Sequence, residues 1–199
     1  MAGNDNLVTG NQLTFLDELH RKMALTADEE RKLRSNLKFV HFKKGDTVDS
    51  QNEMLKNMIF LIRGSARTYY IENGREHNFA FTFAPHFMIR PETIIRSDAY
   101  HIVIKFMEPS DVCYVPTPDI NKIDKERQGE IFKFICLGLS SYADFLEEQM
   151  VMLHKPARER YLWALDRYPG ILDLVTVTQL ASFLNLTKET IYRIRSGKY

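Results

Sequence analysis

The sequence predicts an α+β protein. Helices come first, then an all-β region over roughly residues 37–118, one long helix, and a C-terminal pair of short helices. Three observations carry this reading. Short alternating runs broken by glycine-bearing turns fill the first half. Apolar residues recur at helical spacing from about Gln128 to Leu153. Thr176–Arg195, TVTQLASFLNLTKETIYRIR, holds two helix starts around a tight turn.

Taken in order, Gln12–Met23 reads as a helix with Leu13, Phe15, Leu16 and Leu19 on one side. Thr26-Ala27-Asp28-Glu29 is a capping box that announces a second helix. Strands follow over Phe39–Phe42, Met58–Ile62, Ala66–Ile71, His77–Phe83, Ile102–Met107 and Val112–Val115. They are separated by turns at Lys44-Gly45-Asp46 and Arg63-Gly64-Ser65. Asn73-Gly74 between two of these runs is a hairpin signal, because both residues accept the positive φ that the turn needs. Pro118 to Lys125 reads as a short helix, followed by the long one. The stripe of that long helix comprises Ile131, Phe134, Ile135, Leu139, Tyr142, Phe145, Leu146, Gln149 and Met152/Leu153. It is broad enough to cover the β region and a twin helix at once; the plainer reading is a core helix of a monomer. Pro156 opens a further helix over about Ala157–Arg167, stopped by Tyr168-Pro169-Gly170. Trp163 in it reads as a core residue.

In Thr176–Arg195, Thr176 and Thr187 each offer a side-chain oxygen to the free N–H groups of a first turn. Leu180, Phe183 and Leu184 give the first helix its stripe, and Ile191 and Ile194 give the second. Ala181 permits close approach, and Asn185 suits a left-handed turn residue. This is the pattern of a helix-turn-helix whose second helix enters the major groove of double-stranded DNA. Lys188, Glu189, Tyr192, Arg193 and Arg195 lie off the apolar stripe. Lys188 and Glu189 fall in the first turn, where recognition helices reach base edges. Arginine can fork to guanine and glutamate can accept from cytosine. Thr176, Thr178 and Thr187 are candidate phosphate contacts. An ordinary helical hairpin with a solvated charged face is the alternative.

Charge is uneven. Residues 155–199 carry a net +4 and the rest −3, so a basic end sits on an acidic body, as a phosphate-binding module attached to another domain would. No run approaches a membrane span, and MAGNDNLVTGNQ is not a secretory signal, so a cytoplasmic protein with no membrane partner is expected. Cys113 and Cys136 are too few to cage zinc or an iron–sulfur cluster within one chain. There is no glycine-rich phosphate loop, metal-ligand spacing or nucleophile motif. No enzyme, metal or cofactor is therefore expected.

The arrangement resembles the Crp/Fnr superfamily of bacterial transcription regulators. Its most specific part is Thr187-Lys188-Glu189-Thr190-Ile191-Tyr192-Arg193-Ile194, similar to the family pattern Ser/Thr-Arg-Glu-Thr-Val-x-Arg-Ile. Phe42-Lys43-Lys44-Gly45-Asp46 and Phe60-Leu61-Ile62-Arg63-Gly64 are similar to the glycine turns of cyclic-nucleotide-binding-like domains. The resemblance implies an N-terminal double-stranded β-roll, a jelly-roll sensor, within residues 1–118. It also implies a dimerisation helix over 119–154 and a DNA-binding helix-turn-helix over 155–199. A homodimer on a palindromic operator is implied, with Lys188, Glu189 and Arg193 reading bases. RNA polymerase and an unidentified small-molecule effector are the further partners. Lys188 stands where arginine is usual and lacks its planar fork.

Two departures qualify the resemblance. Family members that bind cyclic AMP carry Gly-Glu and then Arg-Ser/Thr-Ala. Here the matching stretch is Phe87-Met88-Ile89-Arg90-Pro91-Glu92, in which proline removes an N–H donor. The later positions fall on Tyr100-His101-Ile102, without a phosphate-binding arginine. Arg90, Glu92, Tyr100 and His101 are the candidate effector-pocket residues, and tight cyclic AMP binding is not expected. Nor is a haem ligand at His77, His86 or His101. Second, only Ser196-Gly197-Lys198-Tyr199 follow the second helix, so the usual final wing is expected to be missing, with fewer phosphate contacts. The competing reading is a degenerate β-roll module that binds a ligand or protein and grips no specific DNA.

Overall fold

The computed structural model describes residues 14–88, 101–116 and 128–198. Two helices lead: α1 over residues 14–22 and α2 over Ala27–Asn36. The capping box forms as expected. The Thr26 hydroxyl accepts from the Glu29 N–H, and the Glu29 carboxylate accepts from the Thr26 N–H at 2.7 Å. Phe15, Leu16, Leu19 and Leu33 turn inward.

Eight strands follow: β1 (Lys38–Phe42), β2 (Thr47–Asp49), β3 (Met58–Arg63), β4 (Ser65–Glu72), β5 (Arg75–Phe83), β6 (His86–Phe87), β7 (Ile102–Phe106) and β8 (Ser110–Val115). They form two antiparallel four-stranded sheets, ordered β1-β8-β3-β6 and β2-β7-β4-β5. Strands β2 and β6 were not foreseen. At three and two residues they are too short to show a period.

Strand β3 explains why its sequence is apolar throughout. Ile59 and Leu61 face the space between the sheets, with Val48, Leu55, Ala66, Ile104, Phe106 and Val112. Met58, Phe60 and Ile62 face the other way, onto Phe15, Leu16, Leu19 and Leu33. Alternation cannot appear in a strand covered on both sides. At Gly64, φ is +99°, and a Cβ there would lie 2.8 Å from the Ser110 Cα, so only glycine fits. The β4–β5 hairpin turns on Asn73 and Gly74, with φ of 51° and 72° and Glu72 opposite Arg75. This is the tight turn expected there.

Helix α3 (Gln128–His154) is 27 residues, about 40 Å long. Its apolar positions divide in two and include Phe132, Leu137 and Met150 beyond the expected stripe. Phe134, Leu137 and Met152 pack inward, Phe145 meets the Phe79 ring, and Gln149 donates to the Phe79 carbonyl at 3.3 Å. Phe132, Ile135, Leu139, Tyr142, Leu146, Met150 and Leu153 are exposed. Lys133 pairs with Glu29 at 2.7 Å and ties α3 to α2. The short helix expected over Pro118–Lys125 lies outside the described residues, as does the start of the first helix.

Four helices complete the chain: α4 (Ala157–Arg167), α5 (Ile171–Leu174), α6 (Val177–Phe183) and α7 (Lys188–Arg195). Pro156 is the N-cap of α4, one position earlier than its expected place in the first turn. Between α4 and α6 stands the single turn α5, so no upstream hairpin interrupts the described residues there. Tyr161, Ala164, Tyr168, Ile171, Leu180, Ala181, Phe183, Leu184 and Ile191 form one core, which continues into Phe81 and Met107 of the roll. Trp163 packs on its edge, with its ring centroid 5.9 Å from that of Tyr168. These helices are docked on the outer face of β5. The Ser182 hydroxyl accepts from the Asn78 N–H at 2.9 Å and donates to the Glu76 carbonyl at 3.3 Å. No helix among the described residues is long and apolar enough to cross a membrane.

Candidate nucleic-acid interface

The helix-turn-helix is built from its caps outward. The Thr176 hydroxyl accepts from the Gln179 N–H, and the Gln179 side chain accepts from the Thr176 N–H at 2.8 Å. Helix α6 then ends at a Schellman turn. The Leu186 N–H donates to the Ala181 carbonyl, the Asn185 N–H to the Ser182 carbonyl, and Asn185 sits at φ 52°. Thr187 caps α7 by accepting from the Thr190 N–H at 3.2 Å. Helix α7 closes with a second such turn at Gly197, φ 70°, where the Lys198 N–H reaches the Arg193 carbonyl.

Ile191 is fully buried under α7 and Ile194 half-buried. Lys188, Glu189, Tyr192 and Arg193 are exposed, as are Thr176, Thr178 and Thr187. The Glu189 carboxyl lies below the usual carboxylate range, held chiefly by its own backbone N–H and then by the Thr187 hydroxyl. An ionised acceptor thus stands in the first turn of α7. Thr176 and Thr187 use their hydroxyls as cap acceptors, and the Thr187 hydroxyl also lies 3.1 Å from that of Thr190. Arg195 is engaged within the fold. Its Nε donates to the Tyr161 hydroxyl at 3.0 Å, with the guanidinium 5.9 Å from that ring.

On the roll, Arg90, Glu92 and Tyr100 lie outside the described residues. His101 is exposed just before β7. His86 is largely buried, and its pKa is lowered, first by that burial and then by Arg167 and Lys22. His77 stacks on Tyr70, ring centroids 5.0 Å apart. Between the sheets the described roll packs aliphatic, methionine and aromatic side chains, with Phe42 stacked on Phe106 at 4.1 Å, and Thr68 and Thr82 are buried on the same face as Ala66.

Three residues that sequence reasoning passed over brace the fold, Arg67 within the β4–β5 hairpin and Ser182 and Arg160 between separate elements. Arg67 is 3% exposed, ion-paired to Glu76 at 2.7 Å, bonded to the Asn78 side chain at 2.7 Å, and 4.2 Å over the Tyr69 ring. Ser182 bonds the β5 backbone as described. Arg160 donates to three main-chain carbonyls. The Arg67 contacts were readable. Arg67, Tyr69, Asn78 and Glu76 share one face of the hairpin once Asn73-Gly74 sets the register and a bulge after Thr68 is allowed. Ser182 and Arg160 carry no pattern of their own.

The two-sheet roll, the long helix and the capped pair of helices give this chain the fold seen in solved structures of the Crp/Fnr type. Among solved structures, it superposes on FixK2 from Bradyrhizobium japonicum with a TM-score of 0.61 at 16% identity, over 81% of this chain and 83% of that one. It matches a putative Crp/Fnr-family transcriptional regulator from Eubacterium rectale with a TM-score of 0.60 at 16% identity, over 87% and 83%. A cyclic nucleotide-binding domain containing protein from Listeria monocytogenes gives 0.61 at 14% identity, over 94% and 89%. No family model and no curated protein matches the sequence itself.

Proposed function

We propose that the chain is a sequence-specific DNA-binding transcriptional regulator that works as a homodimer. The observation that carries this reading is α7 itself. It is capped by Thr187, seated on Ile191, and presents Lys188, Glu189 and Arg193 to solvent between two Schellman turns. Glu189 and Arg193 supply the acceptor and the fork that cytosine and guanine edges require. Lys188 adds a point charge, and Thr176, Thr178 and Thr187 are placed for phosphates. Tyr192 is a further candidate contact, and Arg195 acts first as a brace to Tyr161.

The exposed face of α3 supports the dimer. Phe132, Leu139, Leu146 and Leu153 repeat every seven residues, and Ile135 and Tyr142 fill the alternate positions, which is the seam of a two-stranded coil. Pairing there would present two copies of α7 to half-sites about one DNA turn apart. Exposed carbon on this scale otherwise faces water. The roll would act by favouring one dimer geometry over another. With Pro91 in place of glycine and no arginine at Tyr100-His101-Ile102, it does not hold cyclic AMP. FixK2 and the Eubacterium rectale protein share the fold, which is consistent with the assignment.

The experiment is selection of bound fragments from genomic DNA, followed by gel shift at stated salt with wild type and Arg193→Ala. Loss of binding by Arg193→Ala, with the dimer intact on a sizing column, is expected. Equal binding by both, or no selected sequence, would leave a roll that binds some other partner.

A further inference from the structure

The geometry points to Arg160 as a positioning residue that ties the end of α3 to the turn that aims α7. This rests on the reading of α7 as a recognition helix. Arg160 lies in the first turn of α4 and is itself half-buried. Its Nη1 donates to the Met152 carbonyl at 3.1 Å, the Leu184 carbonyl at 2.8 Å and the Asn185 carbonyl at 3.2 Å. No carboxylate pairs with it among the described residues.

The three carbonyls belong to two helix ends. The last four carbonyls of any helix lack intrahelical partners and carry the negative end of its dipole. At the end of α3, the Lys155 N–H takes the Val151 carbonyl and Arg160 takes Met152. At the end of α6, the Schellman turn takes the Ala181 and Ser182 carbonyls and leaves Leu184 and Asn185 to Arg160. One guanidinium therefore joins the last turn of the long helix to the residues two and three positions before the Thr187 cap. If α3 sets the separation of the two chains, Arg160 passes that geometry to α7. A lysine in its place would bring a shorter point charge without the planar fork, and could keep only part of the tie.

The test compares full-length wild type, Arg160→Met and Arg160→Lys in two measurements. The first is DNA-free hydrogen exchange of peptides covering 183–190 and 150–155. Arg160→Met should speed exchange in both stretches at once, leave β3 and β8 unchanged, and be partly reversed by Arg160→Lys. The second is titration of the selected operator and of versions with the half-sites moved by one base pair. Wild type should discriminate against the shifted sites by about tenfold, and Arg160→Met should lose most of that preference while keeping its non-specific affinity. Wild-type exchange and unchanged spacing preference in Arg160→Met would overturn the tie. Should no DNA be selected by wild type, the regulator reading fails, and the exchange measurement still decides whether Arg160 couples the two helix ends.

Discussion

Leu139→Glu on the outer face of α3 should break the dimer without harming the protomer. Leu139 is 60% exposed. Full burial of a leucine contributes about 1.5–3 kcal/mol, so covering this remainder contributes about 1–2 kcal/mol per chain and about 2–4 kcal/mol per pair. The substitution removes that gain and sets a carboxylate near its own copy. At 1.4 kcal/mol for each factor of ten, dimer dissociation should strengthen by about thirty- to a thousand-fold. Sedimentation equilibrium over a dilution series measures this directly. The melting temperature of the protomer should hold, because the side chain is not part of the buried core. An unchanged dimer dissociation constant would refute the placement of the seam along Phe132, Leu139, Leu146 and Leu153.

Further predictions follow from local chemistry. Thr187→Ala removes the α7 cap and should cost about 1 kcal/mol, or about 2–4 °C by thermal melting. Ile191→Ala empties the centre of the helix-turn-helix core and should cost about 2–5 kcal/mol, measured by urea titration. Cys113 is fully buried and its thiol is pushed up to about 12, so a thiol reagent at pH 8 should label only Cys136 until denaturant is added. Glu29 has its pKa lowered, first by Lys133 and then by the Thr26 N–H. A depressed carboxylate stabilises the fold above its unfolded value near 4.5, and that contribution disappears as pH falls through the lower folded value. Glu29→Gln should therefore flatten the loss of stability below about pH 4.5 seen in an acid titration of wild type.

Much of the fold was legible because local chemistry and global packing agree. Thr26, Thr176 and Thr187 cap the helices that they announce, and Asn73-Gly74 and Asn185 adopt the positive φ that their residue types favour. The division of the α3 stripe into Phe134, Leu137 and Met152 on one side and Leu139, Leu146 and Leu153 on the other was visible only as a breadth of apolar positions. Which side met the roll depended on contacts over a hundred residues away, such as Lys133 to Glu29. Docking of the C-terminal helices on β5 was not legible. It rests on Ser182 bonding to main-chain groups, which every strand offers, and on Phe81, Phe183 and Tyr168, whose ring contacts no period encodes. On α7, period 3.6 sets Glu189 and Arg193 opposite Ile191, whereas Lys188, three residues before Ile191, borders its face, and the bond from Arg195 to Tyr161 was not legible because it joins residues 34 apart in sequence.

The most direct measurement is hydroxyl-radical and methylation footprinting of a selected operator with the intact protein. Two protected major-groove patches, centred one helical turn apart, each losing guanine protection with Arg193→Ala, are predicted. A single patch, or protection that Arg193→Ala leaves unchanged, would contradict the assignment of α7 as the reader of DNA sequence.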